Sequence, residues 1–329
     1  MPFTTLHKQF KSSRLCPGDD AWIAGWLIHM LSKGAFQHSN WGGCMKDIHK
    51  CKTVSKSGIE FLPIINNSPD NYISIYATLV ECLKNAKSRP LIVTFDFPLW
   101  IKAVRIVIER DLPIIVRLGG FHLLKSYLGC IGYIMKDSGL ETLMQLIYPG
   151  NVDHIADGNA FYKALRAHFL IDAAYCCHAL GEYYGDEDLN EIRQFIHQSK
   201  ESKWGSQHTS DDLKIFSEKL SVKFKLSQIS RTSALWVQYH EMVSTIKSFI
   251  RAERLHDWNL HLAVTTDMLW TFAAAGHGQY AKGARLYLEL MEIHSVRNRS
   301  VFDMFKVEGL HTVRYSNFEW SGIWTDMCL

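Results

Sequence analysis

The sequence predicts a helix-rich α/β fold with a small parallel sheet, and three patterns support this class. Two apolar runs, 91–95 and 114–118, have the length and the β-branched content of short buried strands. A helical pattern of apolar residues lies between them, so 91–118 is predicted as a strand–helix–strand (βαβ) unit, nearly always a right-handed parallel pair. Beyond residue 121 most apolar residues recur at spacings of three or four, which is typical of helices.

Composition narrows the class of protein before any motif is considered. Hydrophobic residues make up 47% and charged residues 21% of the 329 residues, which is usual for a globular protein. No apolar run approaches the roughly 20 residues that cross a bilayer, and the N-terminus lacks the order of a signal peptide. We therefore expect an intracellular protein that is neither secreted nor membrane-spanning. A formal charge of +3 does not by itself indicate a nucleic-acid partner.

The part of the chain before the predicted sheet shows little sustained periodicity. Residues 1–58 are predicted as an irregular lead-in with one capped helix near 20–32, where Asp19 precedes an apolar run. A loop with prolines follows. The next helix is predicted at 70–86, because Asp70 comes directly after a proline, as at many helix starts.

Each element of the βαβ unit has its own local signal. The first strand ends in Asp96, and Pro98 suits the first turn of the helix that follows. The apolar face of that helix is formed by Trp100, Ala103, Val104, Val107 and Ile108. Asp111 and Pro113 end the helix, and the second strand breaks at a pair of glycines before His122.

The remainder of the chain is predicted as helices interrupted by one polar stretch. A seam of apolar residues on two helices is assigned to core packing. Its members are Trp236, Tyr239, Val243, Ile246, Ile250, Trp258, Leu262, Thr265, Leu269 and Phe272. The predicted organisation is a lead-in at 1–58, an α/β core at 59–182, a polar linker or insertion at 183–212 and a helical region at 213–329.

The ends of the two predicted strands form the main candidate site. The carboxyl ends of parallel strands lie on one edge of a sheet, so Asp96 and His122 should be neighbours although 26 positions separate them. Gly119 and Gly120 would allow close backbone approach or positive φ just before the histidine. Two interpretations stay open for each residue. Asp96 is a metal ligand or a helix cap, and His122 is a functional or a core histidine.

Further candidates lie in the helical part of the chain. Asp157, His168 and Asp172 fall in one helical region, and the last two share a face at a spacing of four. That spacing suits a metal pair or a simple hydrogen bond. His277 is a further candidate from the segment GHGQYAKGARLYLELM. The chain contains no GxSxG, HExxH, Walker or GxGxxG motif, so protease, esterase, nucleotidase and dehydrogenase functions lack their signatures.

Several segments resemble a family of uncharacterised, transposon-associated proteins that carry a domain of unknown function. These segments are LPIINNSPDNYISIYATL, VTFDFPLWIKAVRIV, VRLGGFHLLKSYLGCIGYIMKDSGLETLM, GNAFYKALRAHFLIDAA and GHGQYAKGARLYLELM. The block from Asp96 to His122 also resembles the middle of cut-and-paste (DDE-type) transposases with an RNase H-like core. The resemblance implies an RNase H-like sheet in which Asp96 and Asp326 hold Mg²⁺ or Mn²⁺ ions, a DNA partner and a nuclear location. It implies no small-molecule cofactor.

The sequence departs from this resemblance near its C-terminus. Relatives continue beyond the Thr-Asp pair to a Glu four residues later, whereas Asp326 is followed here by three residues only. Trp324 stands where many relatives carry a small residue. We therefore expect a remnant metal-dependent nuclease or transposase-like domain in a truncated copy, active or inactive. The alternative is a non-catalytic helical module that binds DNA or protein.

Overall fold

A computed structural model describes residues 17–31, 38–49, 52–86, 91–183, 230–297, 299–309 and 311–324. The helices are α1 (Pro17–Leu31), α2 (Trp41–Ile48), α3 (Tyr72–Asn85), α4 (Phe97–Glu109), α5 (Gly120–Ile134), α6 (Leu140–Ile147), α7 (Val152–Ala156), α8 (Phe161–Tyr183), α9 (Arg231–Leu255), α10 (Trp258–Ala274), α11 (Gly278–Arg297) and α12 (Arg299–Glu308). The strands are β1 (Leu91–Phe95), β2 (Ile114–Leu118), β3 (Val313–Arg314) and β4 (Gly322–Ile323).

The described residues fall into two compact units, each assembled from segments that are not contiguous. The first unit takes its described residues from 54–134 and 245–329. The second takes them from 13–53 and 135–244. The contiguous domains expected from the sequence remain a prediction, and the linker expected at 183–212 lies outside the described residues after its first position.

The first unit is built around the predicted βαβ element, and this part of the prediction is confirmed. β1 and β2 pair in parallel, with Leu91 opposite Ile114 and Phe95 opposite Leu118. The apolar face of α4 packs on β2 and α3. The indole N–H of its buried Trp100 donates to the carbonyl of Val116 at 3.1 Å. The chain is thus helix-rich with a small two-stranded parallel sheet.

Three long helices complete the core of the first unit. α10 packs against α5 and α11, and α11 lies against α4. Glycine at position 283 of α11 allows this helix to approach α4 closely, because a Cβ there would lie only 1.9 Å from the ring of Phe97. The predicted seam is confirmed in this unit, where Ile246, Leu262 and Phe272 are each 0% exposed.

The described part of the second unit consists mainly of helices. α1 packs on α2 and α8, and the short helices α6 and α7 pack on α8. Asp19, expected to cap α1, lies inside the helix, and its Oδ1 accepts from the indole of Trp41 at 2.7 Å. Helix α2 lies within the stretch predicted as irregular, and its start is capped by Asn40, which accepts from the N–H of Gly43.

Helix α3 begins slightly later than the proline signal predicted. Its cap is Asn71, whose Oδ1 accepts from the N–H of Ile73 at 2.9 Å. Asp70 accepts instead from the hydroxyl of Ser68 at 2.6 Å, inside the preceding turn. In the described part of the chain, no helix combines the length and the apolar character needed to cross a bilayer.

Candidate functional site

The carboxyl ends of β1 and β2 meet at one edge of the parallel sheet. Pairing continues one residue past β2, where the N–H of Gly119 donates to the carbonyl of Phe95 at 2.7 Å. Asp96 follows Phe95 directly, so it lies at the same edge as Gly119. Both helices that leave the sheet, α4 and α5, begin here. We call this region, formed by Asp96, the glycine pair and the first turns of α4 and α5, the strand edge.

At the strand edge Asp96 acts as the N-cap of α4. Its φ of −64° and ψ of 167° are extended, and its Oδ1 accepts from the N–H of Leu99 at 3.1 Å. This hydrogen bond is the one expected if Asp96 is a helix cap, which was one of the two interpretations left open by the sequence. A carboxylate has a second oxygen, so the cap and a metal contact are not mutually exclusive.

His122 lies in the first turn of α5, three residues after the glycine pair begins. Its ring is half-buried and meets the ring of Phe121 edge-on, with centroids 5.1 Å apart. The expected role of Gly120 as a place of close approach is confirmed. A Cβ there would lie 2.9 Å from Cδ1 of Trp324 and 3.3 Å from Cζ of Phe249.

The last described residue therefore lies against the strand edge. Trp324 is 4% exposed and its ring also contacts Phe121, with centroids 6.1 Å apart. Asp326, the second carboxylate expected from the resemblance, comes two positions later in the sequence and lies outside the described residues.

His277 is paired with a helix that starts at the strand edge. Its Nδ1 lies 3.2 Å from the hydroxyl of Ser126. Ser126 is on α5, four positions after His122, so both side chains project from the same face of that helix. His277 was predicted from the sequence as a candidate site residue, but Ser126 was not, because a lone serine inside an apolar helix gives no signal of function.

The remaining candidates, Asp157, His168 and Asp172, lie in the second unit. Asp157 is exposed and forms the C-cap of α7, where its backbone N–H donates to the carbonyl of Asp153. His168 and Asp172 lie on α8 in the second unit, and both are 0% exposed. Nδ1 of His168 lies 3.0 Å from the hydroxyl of Tyr239.

One group of three metal-ligand types is found among the described residues, and it contains a predicted residue. It consists of Asp172 and Cys176 on α8 and His240 on α9. The Oδ1 of Asp172 lies 2.7 Å from Nδ1 of His240, and the sulfur of Cys176 lies 3.3 Å from the same nitrogen. Of these three residues, only Asp172 was predicted from the sequence as a candidate.

The first unit also contains a buried charge network, formed by Arg117, Glu253, His261 and Tyr287. Arg117 on β2 and Glu253 on α9 are 0% and 1% exposed. The guanidinium Nη2 of Arg117 lies 3.1 Å and 3.3 Å from the two carboxylate oxygens of Glu253. Its Nη1 donates to the carbonyl of His311. This ion pair ties the second strand to α9.

Two buried histidines lie in and beside the network, His261 as a member of it and His311 as a neighbour. Nδ1 of His261 lies 2.7 Å from Oε1 of Glu253 without the alignment of a hydrogen bond, and its Nε2 lies 3.0 Å from the hydroxyl of Tyr287. Burial, with the positive charge of Arg117, holds the pKa of His261 well below its ordinary value. Burial likewise lowers the pKa of His311. Both imidazoles are therefore neutral, and Arg117 and Glu253 carry the charges.

The sequence contains one signal for this network, which was not among the predicted site residues. Arg117 is the only charged residue in the strand IIVRL, and a charge inside an apolar strand predicts a buried partner. The partner, 136 residues away, has no local signature. With its charges paired and no described side chain open to solvent, the network is a structural element rather than a binding site.

Comparison with known proteins adds a family but no activity. No curated protein and no solved structure matches the chain. A family model described as a domain of unknown function (DUF8702) matches residues 40–329, which includes the strand edge, the Asp172 group and the buried charge network. The chain therefore belongs to the family defined by this domain of unknown function.

Proposed function

We propose that this chain is a transposon-derived nuclease or DNA strand-transfer domain whose divalent metal binds at the strand edge. The observation that supports the proposal is that three parts of the chain come together at the strand edge. They are the residue Asp96, the first turn of α5, which contains His122, and Trp324, which precedes Asp326 by two positions.

The chemistry of these groups suits Mg²⁺ or Mn²⁺ acting on a phosphodiester. Both ions prefer carboxylate oxygens, and Mg²⁺ is usually held by one or two of them together with water and substrate phosphates. A bound ion of this kind polarises the phosphate and activates the attacking water or hydroxyl. Since α4 and α5 both begin at the strand edge, their N-terminal N–H groups also favour a phosphate nearby.

The neighbouring imidazoles supply a route for protons. His122 is half-buried and His277 is exposed, so both side chains are accessible to solvent. The hydroxyl of Ser126 lies 3.2 Å from His277 and links the start of α11 to the face of α5 that carries His122. An imidazole near a metal-bound water is suited to act as a general base.

A substitution at Asp96 separates the metal role from the capping role. Asparagine caps helices about as well as aspartate, but it cannot supply a carboxylate. We expect Asp96→Asn to keep the fold and to reduce metal-dependent nicking of supercoiled DNA by about 100-fold or more, the scale on which removal of a charge-stabilising group acts. The assay is plasmid nicking by the full chain over a titration of Mg²⁺ and of Mn²⁺.

The matched control is Asp257→Asn. Asp257 is also an N-cap, with its Oδ1 accepting from the N–H of Leu260 at 2.9 Å, and it begins α10. Nicking retained in the control and lost in Asp96→Asn supports the proposal. Nicking that is equal in both variants, or absent from the unsubstituted chain at every metal concentration, would reject it.

A second candidate function is protein binding, and one observation favours it. Residues 58–66 form a segment outside the helices and strands, in which Phe61 is 94% and Ile64 is 96% exposed. The chain just before this segment is anchored, because Ser57 donates its N–H to the carbonyl of Arg314 at 3.0 Å. Large apolar side chains so fully exposed are typical of interaction sites.

The occupant that fits this segment is a partner protein with an apolar groove. A crosslinking amino acid at position 61 should capture a partner that the same group at position 307, an exposed valine on α12, does not. Binding of that purified partner should weaken about tenfold or more in the double variant Phe61→Ser, Ile64→Ser, as expected for loss of apolar anchors. Unchanged affinity would exclude the segment as the contact.

A further inference from the structure

The group formed by Asp172, Cys176 and His240 has the composition and geometry of a zinc site. We propose that it binds one Zn²⁺ ion through the carboxylate, the thiolate and the imidazole Nδ1. The site lies within the second unit and is independent of the function proposed for the strand edge. It would hold a different class of metal, because thiolate and imidazole ligands select zinc over Mg²⁺.

Local structure places the three ligands. Asp172 and Cys176 are four positions apart on α8, so they lie one above the other on a single face. His240 is on α9, 68 positions after Asp172, and brings the third ligand to that face. Two ligands from one helical turn and a third from a neighbouring helix make a preformed half-shell for an ion.

The distances between the ligand atoms match a tetrahedral site. With zinc–sulfur bonds of about 2.3 Å and zinc–nitrogen or zinc–oxygen bonds of about 2.0–2.1 Å, the ligand atoms of such a site lie about 3.3–3.6 Å apart. The observed separations are 3.3 Å from Cys176 to His240, 2.7 Å from Asp172 to His240 and 3.9 Å from Cys176 to Asp172. Shifts of about half an ångström, within the range of side-chain adjustment, bring all three to the ideal values.

Charge balance favours the ion in this buried place. Asp172 and Cys176 are each 0% exposed, and a buried carboxylate or thiolate is favourable only where positive charge or hydrogen bonds compensate its charge. Zn²⁺ bound to one carboxylate, one thiolate and one neutral imidazole has no net charge. The side chain of His240 is 17% exposed, so the site has a route to solvent by which the ion and a fourth ligand, water, can enter.

A neighbouring histidine supports the helices that carry the ligands. His168 lies one turn before Asp172 on α8 and is fully buried. Its Nδ1 lies 3.0 Å from the hydroxyl of Tyr239, the residue before His240 on α9. This contact joins the two helices that supply the three ligands.

Cobalt and zinc titrations of the metal-free full chain test the proposal. Co²⁺ in a tetrahedral site with a thiolate ligand gives intense d–d bands and a sulfur-to-cobalt charge-transfer band. We expect both at one equivalent of Co²⁺, displacement of the cobalt by one equivalent of Zn²⁺, and a rise in Tm on adding zinc. Cys176→Ser should abolish the charge-transfer band.

The matched control is Cys177→Ser. Cys177 is the next residue on α8, is also buried, and directs its thiol to the carbonyl of Ile23 at 3.9 Å. It should keep the band and the zinc-dependent rise in Tm. His240→Gln, at the partly exposed ligand, should lose both with little effect on the metal-free fold. A charge-transfer band that persists in Cys176→Ser, or zinc binding unchanged in His240→Gln, would overturn the proposal.

Discussion

The two units of the chain bury polar groups in opposite ways. The network around Arg117 and Glu253 pairs a guanidinium with a carboxylate, and both side chains are inaccessible, at 0% and 1% exposure. The group around Asp172 gathers a carboxylate, a thiol and an imidazole, and one member reaches solvent. The first arrangement pairs its charges within the protein, whereas the second gathers three groups of metal-ligand types. Burial of charged groups therefore does not by itself indicate a functional site. The kinds of side chain that are gathered also matter.

The largest expected effect comes from breaking the first arrangement. Arg117→Met removes the cation and leaves Glu253 buried beside a neutral His261, which costs about 3–5 kcal/mol in such cases. We expect the free energy of unfolding, measured by urea denaturation, to fall by that amount at pH 7.

The control for this prediction removes both charges. In the double variant Arg117→Met, Glu253→Gln no charge is left unpaired, so part of the lost stability should return. A single variant that loses less than about 1 kcal/mol, or a double variant less stable than the single one, would show that the ion pair is not what holds β2 to α9.

A smaller effect is expected at the Asp172 group, and it should depend on zinc. His240→Ala in metal-free protein removes the partner that lies 2.7 Å from Asp172, which costs about 1–3 kcal/mol for a buried acceptor. When zinc is present at about 100 times its Kd, the unsubstituted protein gains about 2.7 kcal/mol more, and the variant does not.

The measurement is urea denaturation with chelator and with zinc. One outcome is that the unfolding free energies of the unsubstituted protein and of His240→Ala differ by the same amount with chelator and with zinc. That result would contradict the contrast between the units, because the Asp172 group would then need no ion. The same comparison for Arg117→Met should show no dependence on zinc, since the network needs no ion.

A feature of the structure could be predicted from the sequence when the interactions that form it act between nearby positions. The parallel strands and the alternative role of Asp96 as a cap were predictable, because a strand run, Pro98 and the cap all act within a few positions. The edge shared by β1 and β2 follows from right-handed βαβ geometry. These parts of the fold depend on local rules.

The two buried polar groups depend on contacts that local rules do not specify. His240 and Asp172 are 68 positions apart, with the predicted linker between them, and Arg117 and Glu253 are 136 apart. Pairing over such distances is decided by how helices pack, and a single sequence does not encode it in any short pattern. The sequence marked one member of each pair, as Asp172 and as an arginine inside a strand, but not its partner.

A dependence of stability on pH is expected in both units. His168 in the second unit and His311 in the first are both neutral because burial lowers their pKa values, in the case of His168 to about 4. In the unfolded chain each titrates near its ordinary value of 6.5. As the pH falls below 6.5, the unfolded chain takes up protons that the folded chain does not, so stability decreases.

Each such histidine contributes a slope of about 1.4 kcal/mol per unit of pH inside its window. For His168 the window runs from 6.5 down to about 4, and for His311 it begins at 6.5 and extends well below it. We therefore expect His168→Gln to flatten the decline of unfolding free energy between pH 6.5 and 4 by that slope, and His311→Gln to flatten the decline below pH 6.5. Urea denaturation of metal-free protein across this range measures both. If His168→Gln keeps the slope of the unsubstituted chain, the histidine is not neutral in the folded state.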